Sequence, residues 1–234
     1  MKAKFAVGCL TALTTCIAAV PAAGAQAPQP VPCTGPIADQ TIDAPVVVPA
    51  GAVCSIQRST LKRGIVAEAG ARALALRESK VLLRVSAPSI SSFSLVGTKV
   101  VGVVDQGGAT AAVTVCGTRV VGAARLTANA FALRFGTPAL ATCDANRVTG
   151  VLTVQGNPGA STVDQTTVDG LLRILDNPGP VSLSDVTVNG RLECSGNAEA
   201  PIEGEGVRAF ERTGQCVPAP APEPEPTPEP EPAV

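Results

Sequence analysis

Three ten-residue stretches of this 234-residue chain align without a gap at a spacing of 20 residues. They read VTGVLTVQGN at 148–157, VDGLLRILDN at 168–177 and VNGRLECSGN at 188–197. A fixed period of this length is typical of repeat proteins, in which each unit packs only against its neighbours. The spacing therefore predicts a solenoid.

The V-x-G element at the start of each stretch recurs towards the N-terminus. The upstream copies are VVG at 120–122 and 100–102, and weaker ones at 82–84 and 62–64. Between Gly122 and Gly150 the spacing grows to 28 residues. This indicates an insertion of about eight residues, which contains Cys143. Seven coils result, and residues 46–52 can supply an eighth.

Apolar and polar residues alternate within each unit, as in a strand with one face in a core. Hairpins would repeat a motif only in every second strand, whereas a solenoid stacks it in every coil. We therefore expect an all-β, single-stranded parallel β-helix of about 7–8 coils with roughly 20 residues each. Left-handed hexapeptide helices advance about 18 residues per turn, so the spacing favours a right-handed helix. The best helical candidate, residues 67–84, fits the V-x-G register equally well.

An asparagine follows the repeat glycine by seven residues in four coils. These are Asn129, Asn157, Asn177 and Asn197. Asparagine tolerates the left-handed backbone region that a sharp corner needs, and stacked amides can hydrogen-bond from coil to coil. We expect a structural asparagine ladder at these positions rather than a ligand site.

The composition divides the chain into three parts. Residues 1–25 read as a secretory signal peptide, with Lys2 and Lys4 before an apolar stretch and a small-residue cleavage pattern ending at Ala25. Residues 26–217 form the predicted β-helix domain. Residues 218–234 alternate Pro with Ala, Glu or Thr, which predicts a disordered, extended Pro/Glu-rich tail. After signal cleavage no membrane span is expected.

Six cysteines remain after signal removal, which indicates a disulfide framework in an exported protein. They are Cys33, Cys54, Cys116, Cys143, Cys194 and Cys216. Fifteen pairings are open. The repeat favours one of them, because Cys33 and Cys54 are 21 residues apart and Cys194 and Cys216 are 22 apart, each close to one coil. Cys116 and Cys143 would then form the third pair.

The charge balance excludes several classes of partner. The chain has 18 basic and 19 acidic residues. Removal of Lys2 and Lys4, and of four glutamates in the tail, leaves 16 basic and 15 acidic groups in the body. Such a balance predicts no nucleic-acid footprint and no basic patch for an anionic membrane.

No residue set in the sequence predicts a catalytic, metal or cofactor site. The chain has no histidine, no C-x-x-C and no phosphate-binding glycine motif. Polysaccharide lyases and hydrolases often use parallel β-helices, so paired carboxylates deserve a search. The candidates are Asp164, Asp169, Asp176 and Asp185, with Arg173 and Arg191 as basic partners. The absence of Trp and Tyr argues against sugar-stacking subsites.

Several short motifs support a resemblance to a known group of proteins. Residues 48–54 (VPAGAVC), the V-x-G repeats, and the endings CSGN at 194–197 and GQC at 214–216 resemble uncharacterised secreted bacterial parallel β-helix proteins. The resemblance covers roughly residues 40–216 and implies a fold but no active site. The repeat is also distantly similar to the bactofilin β-helix, which polymerises. Bactofilins lack a signal peptide and disulfides, so polymerisation is not carried over.

These observations predict a secreted, disulfide-stapled β-helix that acts as a structural or interaction module at the cell surface or outside the cell. The sequence names no partner; a cell-wall or surface component is the class that an exported module would contact. A carbohydrate-active enzyme or carbohydrate-binding protein on the same scaffold is the alternative, and an assembling subunit with an uncapped end coil is a third.

Overall fold

A computed structural model describes residues 28–136 and 143–217. The expected signal peptide at 1–25 and the expected tail at 218–234 lie outside the described residues. The described part is an all-β solenoid with 22 strands, β1 to β22, in one continuous sheet, and every strand pair is parallel. None of its residues forms a helix that is long and apolar enough to cross a membrane. Residues 67–84, the best helical candidate, lie in or between strands.

Each coil has three sides, so the solenoid has three faces. The strands of face 1 are β1 (Val31–Pro32), β4 (Val46–Val48), β7 (Ile65–Ala67), β10 (Arg84–Ala87), β17 (Val151–Gln155) and β19 (Leu171–Leu175). The strands of face 2 are β2 (Pro36–Ala38), β5 (Val53–Gln57), β8 (Ala71–Arg77), β11 (Ile90–Val96), β13 (Val113–Cys116), β15 (Leu133–Phe135) and β21 (Ile202–Glu203). The strands of face 3 are β3 (Thr41–Ile42), β6 (Thr60–Leu61), β9 (Lys80–Val81) and β16 (Asn146–Val148).

Five longer strands bend around corners and belong to more than one face. They are β12 (Lys99–Gly107), β14 (Arg119–Thr127), β18 (Ser161–Val168), β20 (Val181–Ser195) and β22 (Arg208–Gly214). Their register shows where the corners lie: β12 pairs with β9 on face 3 through Lys99 and with β10 on face 1 through Val103. In β12 and β14 the bend lies at Gly102 and Gly122, whereas in β18 and at the first bend of β20 it lies at Gln165 and Asp185, which have positive φ.

The solenoid has about nine turns, which exceeds the predicted 7–8 coils. The additional turns are the terminal ones, at 31–42 and 202–214, and neither contains a V-x-G element. The repeat motif marks only coils that have a neighbour on both sides, so a search for it stops one coil short at each end. Neighbouring coils are in most places offset by 19 or 20 residues, as the pairs Val46 with Ile65 and Val151 with Leu171 show.

The predicted insertion lies at the corner between faces 2 and 3. Arg119 pairs with Arg147, an offset of 28 residues, and the extra residues lie between β15 and β16. Residues 137–142 of this insertion are outside the described part of the chain. Cys143, which follows them, forms a disulfide with Cys116 of the preceding coil, and their Cα atoms are 5.5 Å apart. The insertion is therefore tied back to the solenoid where it re-enters.

Columns of apolar side chains fill the interior. On face 1 the same inward position is buried in eight successive coils, and its residues are Val46, Ile65, Val85, Val104, Ala124, Leu152, Leu172 and Leu192. The alternation expected for residues 148–154 is present, since Val148, Leu152 and Val154 are fully buried. The core is a continuous apolar rod, so each coil stabilises its two neighbours.

Glycine is required at the corner between faces 3 and 1. A Cβ atom on Gly170 would lie 2.5 Å from the carbonyl oxygen of Gly150, and one on Gly190 would lie 2.2 Å from that of Gly170. Side chains do not fit at such distances, so the backbones of successive coils approach closely only if the corner residue is glycine. This explains the glycine of the V-x-G repeat.

The predicted asparagine positions lie at the corner between faces 1 and 2, and all four side chains point inward and are buried. Asn129 donates through Nδ2 to Oδ1 of Asn157 at 2.9 Å, Asn157 to Asn177 at 3.0 Å, and Asn177 to Asn197 at 2.9 Å. Glutamines continue the stack at both ends. We call the six residues the amide ladder: Gln106, Asn129, Asn157, Asn177, Asn197 and Gln215.

Asn157, Asn177 and Asn197 each use all of their side-chain hydrogen-bonding groups, whereas Oε1 of Gln106 at the end of the ladder has no partner among the described residues. Asn177 donates one amide hydrogen to Asn197 and the other to the carbonyl of Val154 at 3.1 Å. Its Oδ1 accepts from both the side chain and the backbone N–H of Asn157. Full satisfaction of buried polar groups is the condition under which a polar network stabilises a core.

The left-handed conformation at this corner belongs to a different residue from the one expected. The residue before each ladder asparagine has the positive φ: Ala128 (53°), Gly156 (63°), Asp176 (52°) and Gly196 (68°). The asparagines themselves are not in that region. The preceding residue makes the turn, and the asparagine side chain then points into the core to satisfy the backbone groups that the turn leaves free.

Both end coils are closed by covalent and polar contacts. Cys33–Cys54 joins the first coil to the second, and Cys194–Cys216 joins the last two, so the three disulfides have the pairing that the repeat favours. In the last coil Arg212 occupies the core position of Leu192. Its guanidinium contacts Glu203 and donates to the carbonyl of Val207 at 3.0 Å. The C-terminal end of the core is therefore covered by a charged pair.

The glycine corner makes a direct prediction about stability. Gly170→Ala should lower the free energy of unfolding by roughly 1–3 kcal/mol, because the new methyl group meets the backbone of the coil below. Gly35→Ala is the matched control, since a Cβ there has no atom within 4 Å. Urea denaturation followed by circular dichroism measures both. Equal midpoints for the two variants would contradict the close approach of the coils.

The amide ladder makes a second prediction. Asn157→Ala removes the acceptor of the Asn129 side chain and backbone N–H, and each stranded buried group costs roughly 1–3 kcal/mol. We therefore expect a large fall in the thermal midpoint. Gln155→Ala, which removes only an exposed hydrogen bond to Asp176, should change the stability by less than about 0.5 kcal/mol. A small effect of Asn157→Ala in calorimetry would contradict a structural role for the ladder.

Candidate functional site: a cationic column on face 3

Opposite charges are stacked in register at several places on the outer surface. Arg173 contacts Glu193 of the next coil at 3.1 Å, and Arg191 contacts Glu211 at 3.0 Å. Arg58 and Asp39 in the first coils form a bidentate pair at 2.7 Å. Opposite charges in directly facing positions of neighbouring strands stabilise a sheet, whereas like charges destabilise it.

Face 3 departs from this arrangement. Lys80 pairs with Lys99, Lys99 with Arg119, and Arg119 with Arg147, so four basic residues occupy one outward position in four successive coils. All four are exposed. We call them the cationic column. Adjacent strands are about 4.8 Å apart, so neighbouring Cα atoms of the column are separated by about that distance.

Few charges of the column are paired, although the exposed Glu78 and Asp144 lie at the corner that precedes it. Within the described residues, Lys80, Lys99 and Arg119 form no ion pair, and only Arg147 has one, to Asp169 at 2.9 Å. The next outward position along the strands is taken by Val101 and Val121, which cannot compensate the charge. The column is therefore a line of like charges in which only Arg147 is paired within the described residues.

Asp169 lies beside Arg147, at the C-terminal end of the column. Hydrogen bonds from Arg147 are the main reason that the pKa of Asp169 lies below its ordinary value. Partial burial acts in the opposite direction, while Asn189, which donates to Oδ1 at 3.0 Å, and the positive charge of Arg119 lower the pKa further. Asp169 is thus ionised at neutral pH and is held by Arg147 rather than free to act as a base.

The sequence-predicted carboxylates do not meet over one site. Asp164 and Asp185 flank the corner between faces 2 and 3, Asp169 lies at the corner between faces 3 and 1, and Asp176 lies at the corner between faces 1 and 2. Arg173 and Arg191 lie on face 1 and are paired with Glu193 and Glu211. No group of three Cys, Asp or Glu side chains in the described ranges is placed to hold a metal ion.

Two shallow grooves lie near the column. One, of about 370 Å³, crosses face 1 and is lined by Asp105, Arg125 and Arg173 above an apolar floor. The other, of about 440 Å³, follows the glycine corner, where the absence of side chains leaves a depression bounded by Leu171 and the exposed Phe210. Neither brings two carboxylates to opposite sides of a bound sugar.

The cationic column could have been found in the sequence. Each of its residues immediately precedes the apolar residue that opens a repeat, as Lys99-Val100, Arg119-Val120 and Arg147-Val148 show. The overall charge balance does not indicate the column, because its residues are 19, 20 and 28 positions apart in the sequence. The four basic residues become neighbours only in the folded solenoid, where the insertion lies at a corner and the coils are in register.

Comparisons with known proteins add no assignment: a scan against protein-family models, a search of curated proteins and a search of solved structures each found no match.

Asp164 is a buried acid, so its protonation affects the stability of the fold more than that of a surface carboxylate does. Its side chain is 3% exposed, Oδ1 accepts the N–H of Gln165 at 2.9 Å, and Oδ2 has no hydrogen-bond partner among the described residues. Burial raises its pKa, and the nearby charge of Asp185 acts in the same direction. The folded state therefore holds this proton to a higher pH than the unfolded state does.

This difference predicts the pH dependence of stability. Above the unfolded pKa of about 3.9 the unfolded chain releases the proton first, so the contribution of Asp164 to stability falls as the pH rises through the folded pKa. Asp164→Asn should therefore raise the thermal midpoint relative to the parent protein at pH 7, and the difference should vanish near pH 3. Glu199→Gln, at an exposed position with the same charge change, is the control. A destabilised Asp164→Asn at pH 7 would contradict this assignment.

Proposed function

We propose that this chain is an exported, disulfide-stapled β-solenoid that acts as a rigid interaction module at the cell surface or outside the cell. Face 3 is its binding surface in this proposal. The protein contributes a stable surface of fixed spacing rather than a reaction.

The observation that carries the proposal is the cationic column. Four like charges in register cost stability, and the solenoid elsewhere pairs opposite charges at equivalent positions. A feature that opposes folding and is exposed to solvent is best explained by a contact with another molecule. Binding of negative charge would remove the repulsion and would therefore be favoured by the fold itself.

The disulfides support a location outside the cytoplasm. Three disulfides are formed in the structure, and such bonds persist in non-reducing compartments. They join the first coil, the insertion and the last coil, which are the places where a solenoid would open most readily. The signal peptide expected at 1–25 is consistent with this location.

Two alternative functions, a polysaccharide-cleaving enzyme and an assembling subunit, receive less support. The carboxylates proposed for a polysaccharide-cleaving enzyme lie at three different corners, as described above. An assembling subunit would be expected to present an apolar, uncapped end coil. The C-terminal end instead presents Arg212 and Glu203 over the core and Gln215 at the end of the amide ladder.

Binding to isolated cell-wall fractions tests the proposed function. We expect the purified, oxidised protein that begins at Gln26 to co-sediment with these fractions, and the shortened form ending at Val217 to do so equally, because the binding surface lies on the solenoid. The reduced and denatured protein is the control and should stay in the supernatant. Failure of both folded forms to sediment would contradict the proposal.

A further inference from the structure

We infer that the cationic column is a binding site for a linear acidic polysaccharide. This inference rests on the proposed function, because it names the class of molecule that the module would contact. It uses the geometry of face 3, the lack of compensating charge around the column and the polar residues that continue it.

The column is straight and rigid, so the spacing of its charges is fixed. Lys99 and Arg119 open β12 and β14, which are paired over nine successive residues. The basic side chains follow the solenoid axis and advance by one strand spacing of about 4.8 Å per coil. A linear polyanion that lies along the axis can thus place one negative group opposite each coil without bending.

The residues that extend the column suit a hydroxylated ligand. In the two coils that follow Arg147, the same outward position is occupied by Thr167 and then Thr187, both partly exposed. Their hydroxyl groups can both donate and accept hydrogen bonds. The surface therefore offers four cations followed by two hydroxyls in one line, which matches a chain of carboxylated and hydroxylated sugar rings.

The same geometry is less suited to nucleic acid. The phosphates along one strand of a duplex follow each other at about 3.4 Å per step, which is shorter than the coil spacing. Single strands are held largely by stacking of bases on aromatic side chains. The exposed phenylalanines Phe131 and Phe210 lie outside the cationic column, and the chain has no Trp or Tyr.

The scarcity of aromatic residues does not oppose an acidic sugar in the same way. Aromatic platforms bind the apolar faces of sugar rings, whereas a carboxylated polymer can be held by charge and hydrogen bonds. Arg119, which forms no ion pair with described residues, presents a guanidinium group that can bind a carboxylate with two hydrogen bonds. We expect the affinity to be modest and to fall as the salt concentration rises.

The test compares charge reversal on face 3 with an equal reversal elsewhere. The probe is polygalacturonate, with neutral dextran as the uncharged polymer, and calorimetric titration of the full mature chain measures binding at low and high salt. K99E/R119E should weaken binding by about tenfold or more. R72E/R134E changes two exposed arginines of face 2 that form no ion pair with described residues, and it should bind like the parent protein. Circular dichroism checks that each variant is folded.

Several outcomes would overturn the inference. They are no binding of polygalacturonate by the parent protein, equal loss in both double variants, and tighter binding of inorganic polyphosphate or of a single-stranded oligonucleotide than of polygalacturonate. K99Q/R119Q should weaken the binding of polygalacturonate by an intermediate amount. This variant removes the two positive charges without adding the negative charges that repel the ligand in K99E/R119E. If the parent protein sediments with cell-wall fractions and K99E/R119E does not, but polygalacturonate is not bound, the inference is wrong while the proposed function stands. If K99E/R119E sediments as the parent does, the assignment of face 3 as the binding surface is wrong as well.

Discussion

The buried amide ladder is the interaction on which the remaining structure depends. Each asparagine binds its neighbour in the adjacent coil, and Asn157, Asn177 and Asn197 also donate to a strand carbonyl, as Asn157 does to Leu126 at 3.3 Å. A shift of one residue would place a residue without an amide side chain, such as Gly156 or Pro158, in this position and would leave the neighbouring amides without partners. The ladder therefore fixes the register of the coils, which apolar packing alone would leave less well determined.

A fixed register places residues of the same kind above one another. At the corner between faces 2 and 3, Ser59, Ser79, Thr98 and Thr118 occupy successive coils, and each hydroxyl donates to the carbonyl two residues before it. The close approach of successive backbones at the glycine corner also follows from the fixed register. The cationic column also follows from the register, but it is the one of these features that opposes stability. This contrast is why we assign it to function rather than to folding.

The repeat predicted the architecture because one coil corresponds to one motif. Residues 148–197 contain the spacing, the strand alternation, the corner glycine and the ladder asparagines of three complete coils. The motif does not mark the C-terminal coil because Arg212 and Gln215 replace the apolar residue and the asparagine where no further coil follows. The sequence predicted the left-handed conformation for the asparagines themselves. In the structure the residue before each asparagine adopts it, as Gly156 and Asp176 show. The cationic column was missed because its residues become neighbours only through the register.

The most direct test of this account is a nuclear magnetic resonance measurement on protein labelled with nitrogen-15 in asparagine. The account predicts that the side-chain amide hydrogens of Asn129, Asn157, Asn177 and Asn197 give cross-peaks in that order, each with the next, and exchange slowly with water. Amide hydrogens that exchange as in the unfolded chain, or cross-peaks that connect these residues in another order, would contradict the stacking of the coils.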